Sequence, residues 1–359
     1  MFRRIIYKSF YGLLVLWGVV TLVFMLFNVL PGDPARMMLG QRADLKTVEL
    51  IREELGLDRK LSLQYVRYLN DLSPVSIHNL QNADSYFYLD PQKYPGASTL
   101  IKSGSGAVVL KPPYLGLSYQ NRRTVTSMIA DVIPTTFLLA LTSIFFAFAA
   151  GLLIGILCAI RKDSFFDRAA LVISTIGVSL PSFFTAILFG WLFAFVLADF
   201  THLNLTGNLF EIDDLGNGRT LVLKNLLLPS ITLGIRPLSI IIQLTRNAML
   251  DVLGQDYIRT AKAKGIAFSR VIIRHGMRNS MNPIVTAVSG WFASLMAGVV
   301  FVEYIFGWKG LGYLIVNALN QYDMPVVLGA VITIASVFVI VNILVDISYS
   351  LLDPRVRLV

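Results

Sequence analysis

From Ser9 to Leu30 the chain reads SFYGLLVLWGVVTLVFMLFNVL, without a single charged residue. A helix needs roughly 20 apolar residues to cross the hydrocarbon core of a bilayer. A backbone at that depth must satisfy its own hydrogen bonds, so such a run has to fold as helix. Five further apolar stretches follow at about 131–159, 169–197, 225–246, 283–302 and 326–350. Charged residues make up only 15% of the chain, against roughly 25% in soluble domains, and the mean hydropathy is +0.66. The expected architecture is an all-α membrane protein with six transmembrane helices.

Arg3, Arg4 and Lys8 precede the first run. They resemble the start of a signal peptide, but the run is too long and no small-residue cleavage site follows, so it is expected to stay as a span. An even number of spans puts both termini on one side, and the Lys/Arg distribution sets which side. The proposed inner segments hold Arg3, Arg4, Lys8, Arg161, Lys162, Arg168, Arg259, Lys262, Lys264, Arg270, Arg274, Arg278, Arg355 and Arg357. The short outer loops hold only Arg219, Lys224 and Lys309. Both termini are therefore expected to be cytoplasmic. The same bias accounts for the net charge of +9 without a nucleic-acid partner; the expected non-protein partner is the lipid bilayer.

Three regions follow. Residues 1–30 are the N-terminal region and first span, ending at PGDP, Pro31–Pro34. Residues 31–128 are extracytoplasmic, beginning with a helical stretch (DLKTVELIREELGLDRKLSLQYVRYLN) and continuing from Pro74 to Pro113 with loops or short strands. Residues 129–359 carry the other five spans and a cytoplasmic loop at 247–282. The lone cysteine, Cys158, lies in an apolar run and forms no intrachain disulfide. His78, His202 and His275 are too far apart in sequence to form an HExxH metal pair.

Ala147, Gly151 and Gly155 form a small-residue stripe that lets helices approach closely, and Gly290, Ser294 and Gly298 repeat it. Asp131, Arg236, Gln243, Arg246, Asn342 and Asp346 fall at or near membrane depth. Asp131, Arg246 and Asp346 lie near span ends and are expected to reach for the interface. Arg236 and Gln243 lie deeper and are candidates for lining a pathway or gate.

The most basic stretch, DYIRTAKAKGIAFSRVIIRHGMRN from Asp256 to Asn279, sits in the inner loop. It reads as a helix, a break at Gly265, and a second helix starting near Ser269 as N-cap. Arg270, Arg274 and Arg278 recur at every fourth position, forming one stripe. The two helices are expected to lie parallel to the membrane or just beneath it. An interfacial helix on anionic lipid and a docking element for a cytoplasmic partner both fit; the glycine break favours docking.

DYIRTAKAKG followed by RVIIRHGMRNSMNPIVT resembles the cytoplasmic loop of permease subunits in dipeptide and oligopeptide ABC importers, the type I ABC permease family. LPGDPARMMLG (30–40), LGLD (55–58), LGLS (115–118), RKDSFFDR (161–168), SLPSFF (179–184), LPSITLG (228–234), VVFVEYIFGWKGLGYLIVNA (299–318), DMPVVLG (323–329) and VNILVDISYSLLDPRVRL (341–358) fit the family pattern in order. The resemblance implies that the loop carries the EAA motif and a coupling helix seated on an ATPase subunit. The implied contact residues are Asp256, Tyr257, Ile258, Arg259, Thr260, Ala261, Lys262, Ala263, Lys264 and Gly265. Tyr257 would serve as an anchor, and Ala261 and Gly265 would permit close approach. The chain departs from the family at Arg259–Thr260–Ala261, which lacks the acid of the general motif, and at Lys309, where the family has Pro. Residues 75–113 look like an insertion.

No GxxxxGK[ST] phosphate loop occurs in the chain. The chain is thus expected to be no enzyme and to hold no cofactor, with ATP and Mg on partner subunits. The resemblance implies two cytoplasmic ATP-binding subunits, a second permease chain expected to be a different, homologous one, and an extracytoplasmic peptide-binding protein, in the plasma membrane (bacterial inner membrane). Peptides are the implied cargo, with nickel complexes or another small solute as alternatives. The competing class is an ion-coupled secondary transporter, which calls for an inverted repeat that the sequence does not display.

Overall fold

The computed structural model describes residues 2–29, 44–55, 57–212 and 218–352. The 30–40 motif with its PGDP stop, Arg355 and Arg357, and the surroundings of Arg3, Arg4, Gly298 and Asp346 lie outside the described residues. In order, the elements are α1 (Phe2–Val29), α2 (Leu45–Leu55), α3 (Leu61–Leu72), β1 (Val75–Asn79), β2 (Ser98–Ser103), β3 (Gly106–Leu110), α4 (Val125–Ile160), α5 (Phe165–Ser179), α6 (Ser182–Trp191), α7 (Ala198–Thr201), β4 (Phe210–Ile212), β5 (Arg219–Leu221), α8 (Lys224–Leu253), α9 (Asp256–Ala263), α10 (Phe268–Arg270), α11 (Arg278–Gly298), α12 (Val300–Ile305), α13 (Leu311–Asn320) and α14 (Met324–Leu352). Two π-helical segments, Leu192–Val196 and Val271–Met277, join α6 to the turn before α7 and α10 to α11.

Among the described residues four helices are long and apolar enough to cross a membrane: α1 over Ile6–Leu26, α4, α8, and α14 over Met324–Val345. The expected continuous span at 169–197 is corrected. It is a pair, α5 and the run Ser182–Val196, bent by 111°. Leu180 and Pro181 at the bend are both extended (ψ 132° and 140°); proline lacks a donor and disfavours the helical conformation at the residue before it. Counted as one span, the pair makes a fifth. The expected span at 283–302 falls on α11 and α12, which are separated at Val299.

The chain divides into two compact units. The first takes its described residues from Met1–Gly12, Val132–Val316 and Ile334–Val359, and α8 is its centre. This helix packs against α11, α5, α6 and α12. Its apolar window is 67% buried, against 22% to 39% for the other three long spans. Pro229 and Pro237 both lie inside it, and the helix continues through both. Leu228 and Leu233 of α8 meet Leu139 and Ile144 of α4, Leu295 and Met296 of α11, and Phe306 and Trp308 in one apolar core.

The stripe on α4 acts as a packing seam. A Cβ added at Gly151 would lie 2.7 Å from Cγ2 of Ile241, and one at Gly155 would lie 2.6 Å from Cβ of Thr245 and 2.9 Å from the Ile242 carbonyl. Backbone contact at this range maximises dispersion between helices, the main source of association where water is absent. Nothing lies within 4 Å of a Cβ at Gly290, so the second stripe has no such partner there.

The second unit takes its described residues from Leu13–Asp131 and Asn317–Thr333. The single helix expected over its first part is two, α2 and α3. The stretch from Pro74 onward forms an antiparallel sheet in the order β1-β3-β2, with Val75 opposite Leu110. Asp71 organises the unit: it pairs with Lys93 at 2.9 Å and accepts from Tyr94, and its carbonyl accepts from the buried Lys111 ammonium at 2.6 Å. Burial pushes that ammonium down to about 8. LGLS and DMPVVLG, far apart in sequence, meet here. Asp323 accepts from the Ser118 hydroxyl and from the Tyr119 N–H at 3.0 Å, and Gly116 lies against Pro325.

Overpacking a tight seam costs about 1–3 kcal/mol. Gly155→Leu is expected to lower the melting temperature of the detergent-purified chain, whereas Gly290→Leu, entering open space, leaves it unchanged. Fluorescence-detected thermal melts of the two variants check this.

Candidate coupling surface

The basic loop begins where α8 ends. Gln255 is extended (ψ 151°) and precedes α9. Asp256 stands in its first turn and Lys262 in its last, each with the sign that the helix dipole favours. Ile258 is fully buried and Ala261 7% exposed. Three residues apart, they share a face, and that face packs on Val271 with Val252, Leu253 and Ile266.

Gly265 ends the helix in a specific way. Its φ is +73°, its N–H donates to the Lys262 carbonyl at 3.0 Å, and the Ile266 N–H donates to the Ala261 carbonyl at 3.3 Å. This is a Schellman motif, including the apolar contact between Ile266 and Ala261 that accompanies it. The expected break is confirmed, and its reason is the left-handed conformation that glycine adopts without strain.

The second helical run departs from expectation. It starts at Phe268 after Ala267, so Ser269 is not its N-cap. It also does not lie as a separate helix beneath the membrane. Through the π-helical segment Val271–Met277 it runs directly into α11. The Asn279 amide at the root of α11 donates to the Tyr257 hydroxyl at 3.1 Å. The loop helix α9 is thus held at two points, an apolar one where Ile258 and Ala261 meet Val271 of the π-helical segment that leads into α11, and a polar one where Tyr257 meets Asn279 of α11 itself.

Of the ten residues singled out, the structure turns Ile258 and Ala261 inward, so Ala261 serves the chain's own packing and not the close approach of a partner. Asp256, Tyr257, Arg259, Thr260, Lys262, Ala263, Lys264 and Gly265 are exposed. The Arg259–Asp256 contact is 3.6 Å long between side chains 79% and 95% exposed, an arrangement of little energetic worth. Both charges are therefore free to serve another partner.

Arg236 and Gln243 lie on α8, seven residues apart and so on one face. Arg236 is exposed, with its guanidinium 6.0 Å from the Trp291 ring of α11. Gln243 is half-buried, and Asn247, one turn on, is exposed.

Two buried carboxylates escaped the sequence reading. Arg246 does not reach for the interface; it forms a two-pronged pair with Asp167 of α5, Nε to Oδ1 at 2.6 Å and Nη2 to Oδ2 at 2.7 Å. Their side chains are 14% and 1% exposed. Asp167 also accepts the Asp163 N–H at 2.9 Å, while its own N–H donates to the Ser164 hydroxyl at 3.2 Å. The spacing Ser164-x-x-Asp167 is that of a capping box, here with the return bond made to the Asp163 N–H instead of that of Ser164, and was the available signal. Glu303 is the second. It is fully buried and accepts from the Thr136 hydroxyl at 2.7 Å and from the N–H groups of Gly312 at 2.7 Å and Tyr313 at 3.2 Å. The two N–H groups belong to the first turn of α13, where a helix attracts an anion. A Cβ at Gly310 would overlap the carboxylate, one at Gly312 would overlap Cα of Val300, and Gly307 is left-handed (φ +64°), which explains the glycines of GWKGLG. At Lys309 the loop is held by its carbonyl, which accepts from Thr135 at 2.7 Å.

Residues 151–358 match the family described as "Binding-protein-dependent transport system inner membrane component". Residues 1–82 match that described as "Binding-prot-dependent transport system membrane comp, N-term". The glutathione transport system permease protein GsiC of Salmonella paratyphi A is 32% identical over 339 residues, covering 94% of each chain. The dipeptide transport system permease protein DppB of Escherichia coli K12 is 32% identical over 364 residues, covering 95% of this chain and 94% of its own. Among solved structures, the MetNI methionine ABC transporter in inward-facing conformations matches with a TM-score of 0.44 and 16% identity, over 62% of this chain and 96% of its own.

Breaking a buried ion pair costs about 3–5 kcal/mol, because the remaining charge is stranded. Asp167→Ala and Arg246→Ala are each expected to destabilise the chain on that scale, while Asp167→Leu combined with Arg246→Met recovers most of the loss. Thermal melts of the three variants test it.

Proposed function

Because this chain belongs to the family of binding-protein-dependent transport system inner membrane components, we propose that its task is to carry peptides across the membrane. Membership makes it a multi-pass plasma-membrane protein and the membrane-spanning subunit of an ABC importer. It hydrolyses no ATP itself; that belongs to a separate subunit, and a substrate-binding protein delivers the cargo. The relatives that transport dipeptides and glutathione support a short peptide as the cargo here.

Six spans, with α11 and α12 as one of them, place both termini in the cytoplasm. Two ATP-binding subunits and a second, different permease chain complete the importer. The extracytoplasmic region covers 31–128, with 75–113 as an addition to the common plan. The exposed face of α9, formed by Asp256, Tyr257, Arg259, Thr260, Lys262, Ala263 and Lys264, docks on one ATPase, with Gly265 closing the helix behind it. The observation that carries this is the two-point attachment of α9. Movement of an ATPase against the exposed face passes through Ile258, Ala261 and Tyr257 into α11, and through Gly254 into α8. The polar face of α8 bearing Arg236 and Gln243 lies on that route and lines the pathway. Coupling of this kind needs two arrangements of the bundle, each favoured by a different partner state.

Tagged chain purified gently from its native membrane is expected to bring an ATPase with it. Replacing Asp256–Gly265 by a neutral linker is expected to abolish that recovery. Retention of the ATPase by the linker variant would overturn the docking assignment.

A further inference from the structure

The turn between α4 and α5 has a face that the docking reading leaves unused. Phe165 is 88% exposed and Phe166 39% exposed, although both stand in the first turn of an apolar helix. Arg161, Lys162 and Arg168 around them are exposed as well. Among the described residues none of these three makes an ion pair. Of the two acids in the turn, Asp167 is buried and taken by Arg246, so Asp163 alone faces the three cations.

This face is held in place. Asp163 is left-handed (φ +63°), the Ser164 N–H donates to the Arg161 carbonyl at 3.1 Å, and the capping box fixes the start of α5. The phenyl rings therefore point outward from a rigid turn. The turn joins α4, a helix long enough to cross the membrane, to α5, half of the bent pair, so it sits at the depth of the lipid headgroups.

We propose that this turn is a seat for anionic phospholipid. The two rings enter the boundary between headgroups and acyl chains, and Arg161, Lys162 and Arg168 bind the phosphate groups around them. Charge complementarity favours this occupant, since three free cations face one free acid, and the aromatic pair adds the apolar insertion that interfacial anchors use. The proposal rests on the membrane reading of α4 and α5, and on neither the peptide cargo nor the ATPase contact.

The test uses the assembled importer in nanodiscs of phosphatidylcholine, with and without phosphatidylglycerol. A nitroxide is attached to Phe165→Cys in a Cys158→Ala background. The label is expected to collide with oxygen far more than with a water-soluble nickel chelate, and to sit deeper when phosphatidylglycerol is present. In the combined Arg161→Gln, Lys162→Gln, Arg168→Gln variant that dependence on phosphatidylglycerol is expected to disappear. A label open to the chelate in both lipids overturns the proposal. So does a label shielded from both reagents only while the ATPase subunits are bound, which would make the turn a protein contact. Independently of the cysteine variant, immobilisation of spin-labelled phosphatidylglycerol by the otherwise unaltered importer is expected to weaken about fivefold for each cation removed. Unchanged immobilisation also overturns the proposal.

Discussion

The first unit depends on one helix being allowed to sit where no side chain fits between it and its neighbours. Helix Lys224–Leu253 is surrounded by α4, α5, α6, α11 and α12. Gly151 and Gly155 bring α4 onto it at backbone range, and Gly177 of α5 lies against its Ser239. In lipid the hydrophobic effect does not drive helices together, so this proximity must supply the attraction. It also explains why the helix tolerates two internal prolines, since its neighbours hold it along its length. A helix so confined moves as a body. Its C-terminal end leads through Gly254 to the loop helix α9.

The Asp167–Arg246 pair reinforces this arrangement where glycine contact ends. It ties the start of α5 to the last turns of α8, close in sequence to the point where the basic loop begins. The desolvation of two charges makes such a pair a poor source of net stability, but it fixes one register, because any other leaves a charge unmet. The Glu303 carboxylate does the same for the GWKGLG loop, with α13's first N–H groups and Thr136 as its partners. Both are positional devices that convert loops into rigid turns. Between them in the sequence lies the π-helical segment Val271–Met277, whose wider turn is the least regular part of the route from α9 into α11; such segments recur at functional positions.

Much of this was legible in the sequence for stated reasons. The charge-free runs demanded helices, the Gly151/Gly155 spacing announced a seam, and Gly265 announced a helix end. What was not legible came from contacts distant in sequence. Arg246 looked like an interfacial residue because its partner lies 79 positions earlier. Glu303 drew no notice in the sequence, because its partners are Thr136, 167 positions earlier, and the backbone amides of α13. The bend at Pro181 was masked by an unbroken apolar run, since hydropathy reports burial in lipid and not direction. Ala261 was read as a partner contact because the sequence does not say which face of an amphipathic helix meets the chain's own core; the position of Val271 decided it.

On the proposed reading, α9 transmits force because Ile258 and Ala261 anchor its inner face on Val271, apart from the exposed residues proposed to meet the ATPase. Ile258→Ala tests this directly, since it empties the anchor at Val271 and leaves every exposed residue of α9 in place. The measurement is peptide taken up per ATP hydrolysed by the reconstituted importer. The account predicts that the ATPase still binds and hydrolyses while uptake per ATP falls sharply. Uptake that stays in its original proportion to hydrolysis would contradict it.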